Sequence, residues 1–170
     1  MDYKDLIKDV NDFPKKGIIF KDITPLLASP KYFSNVIDDL SLLLDEHFEG
    51  VTLLSGVEAR GFIIGASLAS LNGCGFVPIR KEGKLPPPKV ATYSTKEYGV
   101  DILEVKESEI LQDIVLVDDV LATGGTLKAA ESLLNNSGYN VIGAITLIDL
   151  SYLHDDILIN GKPVYSLIKY

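Results

Sequence analysis

Two adjacent carboxylates, Asp118 and Asp119, close the apolar run Ile114-Val115-Leu116-Val117 and lead into Val120-Leu121-Ala122-Thr123-Gly124-Gly125-Thr126. A continuous, mostly β-branched run reads as a parallel strand buried on both faces. Ligands of open α/β sheets gather beyond the carboxyl ends of such strands, which is where the acid pair falls. Residues 123–126 add two hydroxyls, two glycines and backbone N–H groups at the start of an expected helix. A helix N-terminus attracts phosphate through its unpaired donors and its dipole. Carboxylates beside a phosphate cradle would repel the ligand unless they bind sugar hydroxyls or a divalent cation. The segment therefore predicts a ribose phosphate site, with magnesium as the accompanying ion. The bland alternative is a βα turn with capping threonines and solvated aspartates.

A second loop repeats the logic. Ser55-Gly56-Val57-Glu58-Ala59-Arg60-Gly61-Phe62 follows an apolar strand and precedes a helix. Its glycines allow close backbone approach, and Arg60 supplies a planar fork suited to phosphate oxygens. Two such loops on one sheet imply two phosphate subsites, one for a 5′-phosphate and one for a pyrophosphate. The remaining arginine, Arg80, opens a strip with Lys81, Lys84, Lys89 and Lys96 that contains one acid, Glu82. A local cationic strip on a chain of net charge −8 suits capture of a small polyanion. The overall charge argues against non-specific nucleic-acid binding.

The elements that must position these groups follow from periodicity. Residues 3–10 are expected as a short amphipathic helix and 11–17 as a turn. Ser29-Pro30 reads as an N-cap with proline at the first helical position. That helix should run to about 46–48, with Phe33, Ile37, Leu40 and Leu44 on one face. Strands are expected at 51–54, 76–79, 100–105, 114–117 and 141–148, and helices at 62–71 and 126–136, with Gly138 as a C-cap. Residues 91–94 are positioned to pair with 100–105. The stretch 80–99, with Pro86-Pro87-Pro88 inside it, is too long for an ordinary connector and suggests a mobile lid. Asn160-Gly161 between residues 157–159 and 164–168 is a hairpin signal. Alternating strands and helices give an α/β class with a mostly parallel central sheet flanked by helices.

At 170 residues the chain suits one domain. No apolar stretch is long enough to span a bilayer, and the charged start lacks the apolar core of a signal peptide. The single cysteine, Cys74, excludes an internal disulfide and a cysteine metal cluster, and reads as a buried small hydrophobe. Cytoplasm is the expected location, with no membrane or nucleic-acid partner. His47 and His154 are isolated and read as surface or helix-end residues.

The run 114–126 resembles the signature of type I phosphoribosyltransferases. Four further segments resemble the adenine-using branch of that family, in order and at its spacing: Phe13 to Leu27, Val57 to Phe62, Phe76 to Pro86, and Tyr93 to Gly99. The resemblance covers most of the chain. It implies a type I phosphoribosyltransferase fold, with a hood at about 11–28 and a lid at about 80–99. It implies transfer of 5-phosphoribosyl from 5-phosphoribosyl-1-pyrophosphate (PRPP) to adenine, giving AMP and pyrophosphate, with Mg2+ and as a homodimer. Carried over residue by residue, Asp118 and Asp119 would bind the ribose hydroxyls, and Ala122, Thr123, Gly124, Gly125 and Thr126 the 5′-phosphate. Glu58, Ala59, Arg60, Arg80 and Lys84 would form the pyrophosphate site. Ile19, Phe20, Lys21 and Leu150 would hold adenine, the base lying between Phe20 and Leu150. Glu97 would be the acid/base group, with Arg60 and Lys84 assisting departure of pyrophosphate. Magnesium would come mainly with PRPP, near Asp118 and Asp119. Lys21 stands where many members carry Arg. Other purines, a PRPP-sensing regulatory module and a plain α/β domain are the alternatives.

Overall fold

The computed structural model describes residues 2–96 and 99–170. The expected N-terminal helix is only a single 3-10 turn, Tyr3–Leu6, after which the chain extends. Strand β1 (Lys8–Asn11) pairs antiparallel with β2 (Ile19–Asp22), with Asp9 opposite Lys21. The Lys21–Asp9 ion pair at 2.7 Å spans that register, and cross-strand pairing here overrides the helical pattern. Helix α1 is one turn, Thr24–Leu27, and α2 spans Pro30–His47. Ser29 occupies the N-cap of α2 without a side-chain capping bond, so Pro30 carries the start signal. Val36, Ile37, Leu40 and Leu44 form the buried stripe of α2, while Phe33 packs at its margin.

Strand β3 (Leu53–Val57) starts later than the apolar pattern suggests and runs into the expected loop. A strand can carry Ser55 there because its hydroxyl donates to the carbonyl of Val77 at 2.8 Å. Helix α3 (Arg60–Leu71) leads to β4 (Gly75–Lys81). Strands β5 (Val90–Lys96) and β6 (Gly99–Val105) form the antiparallel pair expected from the 91–94 pattern, with Ala91 opposite Glu104 and Ser94 opposite Asp101. Much of the expected lid is thus a hairpin built onto the sheet through the β4–β6 pairing.

Strand β7 (Gln112–Leu121), helix α4 (Gly125–Asn135) and strand β8 (Tyr139–Asp149) complete the centre. Helix α4 is capped at Asn136, and Gly138 takes its positive φ of 85° in the following turn. The Asn160-Gly161 hairpin is tighter than expected, joining β9 (Leu158–Ile159) to β10 (Lys162–Pro163). Strand β11 (Tyr165–Lys169) instead pairs parallel with β8. The seven-stranded sheet has the order β11-β8-β7-β3-β4-β6-β5, parallel from β11 to β4 and antiparallel beyond. Helices α2 and α3 pack on one face and α4 on the other. Residues 114–117 are fully buried between these layers, which explains their unbroken apolar pattern.

Candidate active site

A cavity of about 620 Å³ opens at the carboxyl ends of β3, β7 and β8. One end is walled by Ile19, Phe20 and Lys21 of β2 and by Leu150, Tyr152 and Leu153 after β8; the other is floored by residues 118–127 and by Val57 to Arg60. The structure therefore brings together the expected base, ribose and 5′-phosphate residues in one space.

Strand β7 continues past its apolar run, so Asp118 and Asp119 lie within the strand rather than after it. Both are nearly buried. Gly61 makes this packing possible, because a Cβ there would approach Asp118 Oδ1 to 2.8 Å. Asp118 Oδ1 accepts the N–H of Asp119 at 3.0 Å. Burial, reinforced by the charge of Asp119, raises the Asp118 pKa well above the usual carboxylate value. Burial also raises that of Asp119, and Arg60 opposes the shift. Two buried carboxylates that share one guanidinium suit incoming hydroxyls or a cation.

Arg60 links the acid pair to the Phe20 wall of the cavity. Its Nε lies 2.8 Å from Asp119 Oδ2. Its Nη1 donates to the carbonyl of Lys21 at 3.3 Å, and its guanidinium lies over the Phe20 ring, 4.5 Å from the centroid. Phe13 meets Phe20 edge-on at 5.2 Å and supports that ring. The Lys21 ammonium turns to Asp9 at 2.7 Å. Gly124, with a φ of 80°, is the N-cap residue of α4 and packs closely against Ile157; it makes no side-chain capping bond. The first backbone N–H groups of α4 therefore face the cavity as an anion cradle.

Arg80 and Lys84 do not line this cavity but border it through Glu58, which does. Glu58 receives Arg80 Nε at 3.1 Å, the N–H of Lys81 at 2.9 Å and Lys84 Nζ at 2.7 Å. The Lys84 and Lys81 bonds, with Arg80 beside them, hold its pKa down at about 2. Glu58 is thus a clamp on cations, a role its position in a phosphate-like loop did not suggest. The Glu58–Ala59 peptide is cis. Glu97 lies outside the described residues. Tyr152 and Leu153 line the cavity beside Leu150 but were missed in the sequence, where a Tyr-Leu pair after a strand carries no distinguishing signal.

Among the described residues no cluster of three or more His, Cys, Asp or Glu side chains could hold a metal by itself. The buried acid pair fits an ion that brings most of its oxygen ligands with it, as magnesium does on a diphosphate. No described helix is long and apolar enough to cross a membrane.

Comparison with known proteins agrees with this geometry. A family model for the phosphoribosyl transferase domain matches residues 24–158. The adenine phosphoribosyltransferase of Thermotoga sp. (strain RQ2) is 44% identical over 173 residues, covering 100% of both chains. That of Rhodospirillum rubrum is 46% identical over 177 residues, covering 100% of this chain and 99% of its own. A solved adenine phosphoribosyltransferase from Thermoanaerobacter pseudethanolicus superposes with a TM-score of 0.88 at 41% identity, covering 99% of this chain and 98% of that one. The Saccharomyces cerevisiae enzyme, complexed with an imino-altritol bisphosphate and adenine, gives a TM-score of 0.86 at 33% identity over 97% of this chain and 96% of its own.

Proposed function

Since this chain belongs to the phosphoribosyl transferase family, and within it to the adenine phosphoribosyltransferases, we propose that its cavity transfers the 5-phosphoribosyl group of PRPP to adenine in purine salvage, giving AMP and pyrophosphate. The observation that carries the reading is the single cavity that runs from Phe20 and Leu150, past Asp118 and Asp119, to the start of α4. A flat base, a diol and a phosphate would find matching surfaces in that order.

In this reading, residues 122–126 hold the 5′-phosphate and the aspartates accept the 2′- and 3′-hydroxyls. Adenine lies between Phe20 and Leu150, its edge met by backbone groups of Ile19 and Lys21. The bond from ribose C1 to the pyrophosphate oxygen breaks, and its electron pair leaves with pyrophosphate. Adenine N9 bonds to C1 from the opposite face with inversion, and the purine proton is lost to Glu97. Arg60 and Lys84, with Arg80 and the Glu58–Ala59 loop beside them, stabilise the negative charge growing on the leaving group. Magnesium, bound mainly through PRPP near Asp118 and Asp119, would neutralise part of the same charge. Shared alignment of base and sugar supplies much of the acceleration.

The same reading places the enzyme in the cytoplasm and makes it a two-fold homodimer. Titration calorimetry with PRPP and Mg2+ tests the ribose assignment. Asp118→Asn combined with Asp119→Asn should lose measurable PRPP binding, and retained affinity would sink the assignment.

A further inference from the structure

We propose that Tyr170 is a positioning residue for the base slot, its ring setting, through Lys21, the separation of the Phe20 and Leu150 walls. The inference deepens the proposed function and rests on its assignment of the base to that slot. The two walls belong to different parts of the fold. Phe20 lies on β2, which pairs with β1 in a two-stranded sheet apart from the seven-stranded one. Among the described residues no strand ladder therefore fixes the distance from Phe20 to the main sheet. Leu150 directly follows β8 of that main sheet.

Tyr170 joins the two. Its N–H donates to the carbonyl of Asp149 at 2.9 Å, and its carbonyl accepts the N–H of Ser151 at 3.2 Å. The Ser151 hydroxyl donates to the same carbonyl. Tyr170 is thereby stitched to both chain neighbours of Leu150. Its ring receives the Lys21 ammonium 3.8 Å from the centroid, and Lys21 is the chain neighbour of Phe20. The Lys21 side chain is only 6% exposed and is also held by Asp9 at 2.7 Å. The Lys4 ammonium lies over the same ring at 4.7 Å. Burial, with Asp9 and Asp2 nearby, raises the phenol pKa, so the ring meets both cations in its neutral form. A desolvated ammonium on an aromatic face is among the stronger cation–π arrangements.

Tyr170 does not line the cavity. It can therefore affect base binding only by moving the walls, and the ribose and phosphate end is built from other elements. Removing the ring should weaken adenine binding and spare PRPP.

The test uses the intact chain and steady-state kinetics in each substrate. Tyr170→Leu should raise the KM for adenine about five- to tenfold, the scale of a desolvated cation–π contact, with the PRPP KM unchanged. Tyr170→Phe keeps the ring and should restore wild-type values. Lys21→Met removes the other partner and should reproduce the selective rise, which keeps the proposal testable should Tyr170→Leu fail to fold. An unchanged adenine KM in Tyr170→Leu and Lys21→Met, or a parallel rise in both KM values, overturns the inference. Phe20→Ala separates the two levels. If it raises the adenine KM while the Tyr170 and Lys21 variants do not, only the positioning role fails; if it leaves that KM unchanged, the base slot itself is wrong and the inference falls with it.

Discussion

Asp118 sets binding against stability. Its pKa is raised by burial and by Asp119, so the native state holds a proton more tightly than the unfolded chain does. That contribution is fully present below the ordinary value of 3.8 and is lost as pH rises through the native pKa. Ionisation of both members of the pair therefore burdens the fold. Asp118→Asn keeps an oxygen to accept the Asp119 N–H and removes one charge. It should raise the melting temperature, by about 2–4 °C for each kcal/mol of repulsion relieved, while weakening PRPP. A lower melting temperature would contradict this account. Glu58 has the opposite sign. Its pKa falls from 4.5 to about 2, chiefly through the Lys84 bond, so its stabilisation is complete above 4.5 and is lost as pH falls towards 2. Denaturation of Glu58→Gln across that window should show lower stability than wild type near neutrality and a shallower loss in acid. Parallel acid limbs would show that the clamp contributes nothing.

At the scale of elements, the sheet and the long helices were legible because their patterns are driven by burial on known faces. The stripe of α2 and the run 114–117 are the clearest examples. The N-terminal strand was not legible, since β1 is exposed at every position and owes its form to pairing with β2. The extension of β7 through the aspartates was hidden for a related reason. Burial of two acids depends on Gly61 and Arg60 arriving from another element, which local sequence does not encode. The cavity walls were foreseen at Phe20 and Leu150 only through family resemblance, and the clustering of Arg80 and Lys84 on Glu58 required the β3–β4 register. The hairpin β5–β6 carries the remaining proposal, because Glu97 lies between its strands in sequence. Glu97→Gln should depress kcat far more than it weakens PRPP binding, as a group acting on the base proton must. Unchanged kcat would remove it from that role.

For the molecule as a whole, helix α3 leaves Ile63 and Leu71 exposed, at 42% and 52% of their surface, outside its buried stripe of Gly61, Ile64, Gly65, Leu68 and Ala69. Exposed apolar groups on a helix that also begins with Arg60 suit a two-fold contact close to the active site. Light scattering at micromolar concentration should return twice the chain mass of 18.5 kDa, and a monomer that turns over normally would refute the dimer.

The reading as a whole rests on one cavity that runs from Phe20 and Leu150, past Asp118 and Asp119, to the start of α4. The measurement that tests it most directly is a steady-state assay with Mg2+ and PRPP, offering adenine, hypoxanthine, guanine and xanthine separately. The account predicts AMP and pyrophosphate from adenine and no nucleotide from the 6-oxopurines. Turnover of a 6-oxopurine in place of adenine would contradict the base slot, and tight PRPP binding with no turnover of any base would contradict the enzyme.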